Sequence, residues 1–133
     1  MRIRRHRIIK SEKGASAVEF ALILPILVIL VFGIVQCGIA YNNYIALTHA
    51  AREGARLAAV NMDETESIEW FENRVRESAP SVTIESIALS GQDGNIGDPV
   101  SVTVTGEVLN IEIPLVGSWP VQLTSTATLR LEQ

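Results

Sequence analysis

From Phe20 to Ala40 the chain carries no charged residue, and Gln36 is the one strongly polar side chain in the run. Residues 20–40 would form about 31 Å of helix at 1.5 Å per residue. That matches the roughly 30 Å hydrocarbon core of a bilayer, so the pattern predicts one membrane span. The run is apolar on every side, as a lipid-facing helix should be. Pro25 lies inside it and invites a bend, which membrane helices tolerate when neighbours compensate. Past Ala40 the pattern changes. Tyr41 and Tyr44 fall at the expected outer interface, where aromatic rings with a polar tip settle. In ALTHAAREGARLAAV, Ala46, Ala50, Gly54 and Ala58 recur every four residues, as do Leu47, Ala51, Ala55 and Ala59. Residues so spaced share a helix face, and small ones let a partner approach closely. Packing on the chain's own domain and packing between identical helices both fit, and the two are compatible. Arg52, Glu53 and Arg56 can pair locally. Residues 15–60 are thus expected to form one long helix.

Asn61 to Asp63 breaks that helix, and Asp63 with Glu66 fits a capping box for a second one. Ile68, Phe71, Val75 and Ala79 make its apolar stripe, which Pro80 stops. The period then becomes two. Val82 and Ile84 open a strand reaching Leu89, and the loop SGQDGNIGDP follows. Val100, Val102 and Val104 alternate with Ser101, Thr103 and Thr105, the signature of a half-buried strand. Gly106 reads as a bulge, with the strand resuming to Ile113. PLVGSWP reads as a turn bounded by Pro114 and Pro120. Val121, Leu123, Ser125, Ala127, Leu129 and Leu131 alternate in a last strand. Trp70 and Trp119 are expected as core or edge aromatics. The predicted class is α+β: a long N-terminal helix (membrane span plus amphipathic half), a second short helix and a small antiparallel sheet.

Charge sets the orientation. Residues 1–14 hold six basic residues against Glu12 alone, so they carry +5 and the rest −9, summing to −4. Basic flanks mark the cytoplasmic side. The chain divides into a basic leader (1–14), the helix (15–60, span about 20–40) and an extracytoplasmic α+β domain (61–133). The adjoining span argues against nucleic acid as the target of the basic head. Cys37 is the single cysteine, so no intrachain disulfide is possible. His6 and His49 belong to no catalytic set, and no phosphate loop or zinc spacing occurs. Asp93, Asn95 and Asp98 offer oxygen donors without the bidentate Glu of an EF-hand, and read as a polar hairpin loop. No enzymatic activity, cofactor or metal is expected. Small residues at Gly38 and Ala40 would also allow a conventional signal cleavage before Tyr41, although the apolar run exceeds the usual 7–15 residues, roughly, of such a signal.

Glu19 stands at the mouth of the apolar run, and Gly14 lies five residues before it. A charge at the centre of the bilayer costs roughly 2.5–3.5 kcal/mol. If the chain is cut after Gly14, Ala15 gains an amino group one helical turn from Glu19, or within reach of Glu19 in an axially offset neighbour. Such pairing offsets the desolvation of the acid. A basic leader ending in Gly, then four residues, Glu, an aromatic and an apolar span resembles the processing site of type IV pilin-like proteins. GASAVEFALILPIL with the Ala51–Arg56 stretch, and the strands SVTVTGEVLNIEIPLVGSWPVQLTSTATLRLE, resemble the TadE-like family of the tight-adherence (Flp) pilus system. Phe20 departs from the Tyr usual in the major pilin. The resemblance implies a minor pseudopilin or assembly component, cut by a prepilin peptidase between Gly14 and Ala15. Glu19 and Phe20 would serve assembly. The implied partners are the peptidase, other pilins and pseudopilins met through the N-terminal helix, and the assembly platform. It would sit in a bacterial plasma membrane, N-terminus cytoplasmic, or in the pilus after processing. The other reading is an uncleaved single-pass protein whose outer domain binds an envelope partner.

Overall fold

The computed structural model describes residues 12–60, 67–91 and 93–132. Helix α1 (Glu12–Val60) is followed by α2 (Ile68–Glu77) and strands β1 (Ile84–Ser90), β2 (Pro99–Gly106), β3 (Leu109–Ile113), β4 (Gly117–Val121) and β5 (Thr124–Arg130). The long helix, short helix and antiparallel strands make the fold α+β. The 49 residues of α1 reach about 74 Å at 1.5 Å per residue. Pro25 lies within α1 without ending it.

The C-terminal part of α1 nucleates the head. Leu47, Ala50, Ala51, Gly54, Ala55, Leu57, Ala58 and Ala59 are buried. They meet Val100, Val102 and Val104 of β2 and Phe71 and Val75 of α2 in one core. Strand β2 is the centre of a three-stranded antiparallel sheet, ordered β1-β2-β5. Its alternation is as the pattern predicts: the valines face α1, while Ser101, Thr103 and Thr105 face outward. Those hydroxyls meet Thr128, Thr126 and Thr124 across the ladder at 2.7, 2.9 and 3.4 Å. Such cross-strand pairs each add a few tenths of a kcal/mol, roughly, to a sheet. The Thr48 hydroxyl lies 3.1 Å from that of Ser125, tying α1 to β5.

Several boundaries differ from the sequence pattern. Helix α2 starts at Ile68 with Ser67 as its N-cap, whose hydroxyl accepts from the Trp70 amide at 3.3 Å. The Asp63–Glu66 pair lies outside the described residues. Ile68 is 65% exposed, because the first turn of α2 extends past the edge of the core, and only Phe71, Val75 and Ala79 are buried. In β1 the register shifts between Ile84 and Ser86. That irregularity puts Ile84 on the same face as Ile87 and Leu89, which strict alternation would forbid.

Gly106 ends β2 instead of bulging it. A Cβ there would lie 3.0 Å from Leu47 Cδ1, so the strand end fits closely under the Leu47 side chain of α1. The chain then leaves the sheet, and β3 and β4 form a separate two-stranded hairpin. Val121 and Pro120 therefore belong to β4, and β5 starts only at Thr124. Proline is tolerated there because a two-stranded ladder leaves N–H groups unpaired on each outer edge. The tight turn is Ile113–Val116, closed by the Val116 amide donating to Ile113 O at 3.1 Å. Pro114 occupies its second position and Leu115 its third, with φ 68°. A turn with that dihedral at the third position favours Gly or Asn.

Candidate functional site: the N-terminal part of the long helix

Gly14 through Phe20 lie on α1 with every residue exposed. Ala15 and Glu19 are one helical turn apart on the same face, about 6 Å along the axis. The side chains from Phe20 to Ile39 are largely exposed, and the head touches them only at the β3–β4 hairpin, near Phe32 and Gln36. This helix is long and apolar enough to cross a membrane once. Exposure of so many large apolar groups in water would be strongly unfavourable, at roughly 1.5–3 kcal/mol for each that could be fully buried. A lipid surround removes that penalty.

Further along α1, the small row divides by depth. Ala50, Gly54 and Ala58 are buried within the chain, and Ala46 is half-buried at the rim of the core. A Cβ on Gly54 would lie 2.9 Å from Val102 Cγ1 and 3.0 Å from Val75 Cγ2. The close approach that small residues permit is thus used by β2 and α2. Neither tryptophan reaches the core: Trp70 sits at the outer side of α2, and Trp119 on β4 is 47% exposed.

Between α1 and α2 runs an open groove of about 560 Å³ lined by His49, Arg52, Glu53, Arg56, Arg74 and Glu77. Arg56 pairs with Glu53 at 2.7 Å and Arg74 with Glu77 at 3.3 Å. The hydrogen bond from Arg56 holds the Glu53 carboxyl below its ordinary range. A carboxylate with a lowered folded pKa stabilises above its unfolded value and loses that contribution as pH falls through the folded one. Urea midpoints of wild type and Arg56→Ala should therefore differ slightly at neutral pH and converge in acid, once the pH has fallen through the lowered pKa of Glu53 and its carboxylate is protonated. A gap that persists at low pH would mean that Arg56 acts through packing instead. In the loop after β1, the Asp98 carboxylate accepts from the Asn95 amide at 2.8 Å. Among the described residues no three His, Cys, Asp or Glu side chains gather as a metal site.

One contact was not anticipated. Gln36 Nε2 donates to the Glu112 carbonyl at 3.3 Å, so the β3–β4 hairpin lies against the apolar stretch of α1. The signal was the lone strong polar residue in that run.

An exposed apolar half-helix continuous with a half-helix built into an α+β head defines a single-pass membrane-anchored protein. Residues 14–56 match the family described as TadE-like protein. This match makes residues 14–56 TadE-like and fits a pilus-associated membrane protein with an apolar N-terminal helix. It covers α1 up to Arg56, leaving the strands outside it. No curated protein and no solved structure matches the chain.

Proposed function

We propose that this chain is a minor pseudopilin or assembly component of the tight-adherence (Flp) pilus, a structural subunit with no catalysis of its own. The basic N-terminus stays in the cytoplasm and the head lies outside the membrane. A prepilin peptidase cuts between Gly14 and Ala15, and the freed helix then joins other pilins or pseudopilins at the assembly platform. The observation that carries this reading is a coincidence of position. The family match begins at Gly14, and Glu19 is the one charged residue from Gly14 through Asn43. Helix α1 runs through the Gly14–Ala15 bond, so a protease must unwind it locally to reach the backbone. Glycine lowers that cost by about 1 kcal/mol relative to alanine and presents no side chain to the cleft.

N-terminal sequencing of the protein recovered from its native membrane tests the proposal. The expected first residue is Ala15. A chain beginning at Met1 would instead support an uncleaved anchor, and one beginning at Tyr41 a secreted domain.

A further inference from the structure

We propose that the β3–β4 hairpin is a second membrane contact, with Leu115 and Val116 at its tip entering the outer leaflet of a phospholipid bilayer beside α1. The position of the hairpin along α1 carries the argument. Gln36, which meets Glu112, lies four residues inside the end of the apolar run, about 6 Å along the helix. A cavity of about 330 Å³ between helix and hairpin is lined by Gln36 and, one turn deeper, Phe32, together with Ile113, Pro114 and Gly117. The hairpin tip is therefore level with residues that the span itself places in lipid.

The chemistry of the tip fits that surround. From Ile113 to Leu129 there is no charged residue. Leu115 is 81% exposed and Val116 50% exposed, on a turn that projects them away from the head. Leu115 holds the left-handed position at φ 68°, where glycine would be unstrained. A bulky apolar side chain is kept at the apex against its local preference. Trp119 pairs with Ile111, one residue nearer the head than the Glu112–Ser118 pair that meets Gln36. That puts an amphipathic ring near the depth of Tyr41, where aromatic residues mark the membrane interface. The opposite end of the head differs. The Asp93–Asp98 loop joins Leu131 through the Gly97 amide, and the Glu132 amide reaches Ala59 O. Ala59 is some 35 Å along α1 from Gln36 at 1.5 Å per residue.

The proposal requires only that α1 be anchored, and does not depend on cleavage after Gly14. The test uses the full chain with Cys37→Ser and a nitroxide on Val116→Cys or Ile96→Cys. Each protein is reconstituted in phosphatidylethanolamine–phosphatidylglycerol vesicles. Collisions with oxygen, which concentrates in lipid, are compared with collisions with a water-soluble nickel chelate. At position 116 oxygen should dominate, with a ratio several-fold above that at position 96. Adding Leu115→Asp should raise nickel access at 116 and leave 96 unchanged. Adding Leu115→Gly, which relieves the turn and keeps the fold, should shift the ratio in the same direction. Nickel access at 116 equal to that at 96 would overturn the proposal. So would protection from both reagents, which would point to a second copy of the chain packed on the tip.

Discussion

Glu19→Ala should leave the chain inserted and processed yet absent from the assembled structure. An acid within an apolar helix opposes insertion, by roughly 2.5–3.5 kcal/mol at the bilayer centre and less toward the boundary. Removing it cannot impair anchoring. On the proposed function, its benefit arises only once cleavage exposes the Ala15 amino group. In the structure Glu19 is exposed on α1, as are its neighbours Val18 and Phe20, so a second helix has access to it. Breaking a buried ion pair by deleting one partner costs about 3–5 kcal/mol, equivalent to about 10²–10⁴-fold in association. Membrane fractionation should therefore recover normal amounts of mature variant, while cross-linking to pilus components falls to background. Glu19→Gln, which keeps the shape and removes the charge, should behave like the alanine variant. Wild-type cross-linking in either one would remove the pairing argument.

The long helix was legible because its two halves obey different rules that the residues state directly. Gln36 apart, Phe20 to Ala40 offers nothing that needs water, and the repeat from Ala46 to Ala59 keeps small groups on one side. Strand β2 was equally plain, since Val100, Val102 and Val104 alternate with hydroxyl residues and are buried in the same order. The hairpin was not. Val121 and Leu123 continue the odd-numbered alternation of β5 by coincidence across the break at Gln122 and Leu123, so two strands read as one. Pro120 read as a boundary because proline interrupts a central strand, whereas β4 belongs to a two-stranded ladder. The Gln36 contact was illegible for a different reason. Periodicity identifies which face of a helix is special, but the partner there comes from 76 residues further along. The same limit left the small row on α1 with two candidate occupants.

The occupant of that row decides the remaining result. Gly54→Leu should strongly destabilise the head, while Gly38→Leu on the same helix should leave its stability unchanged. A Cβ at Gly38 meets nothing within 4 Å, whereas at Gly54 it would lie within 3.0 Å of Val102 and Val75 side chains. Valine is stiff at χ1 and cannot swing aside. Helix propensity works the other way, since replacing glycine stabilises a helix by up to about 1 kcal/mol. For Gly54→Ala the clash opposes that gain, because a methyl 2.9 Å from the fully buried Val102 forces a shift in the core. For leucine the added atoms must enter a filled core, where overpacking costs about 1–3 kcal/mol or more. Against a typical domain stability of about 5–15 kcal/mol, the urea midpoint should fall by about 1 M or more. Tryptophan fluorescence of the detergent-solubilised full chain reads this transition. If Gly54→Leu melted with wild type, α1 would not be seated on β2 and α2 as described. Its small face would then be free for another helix of the assembly, and loss of pilus incorporation without loss of stability would be the signature.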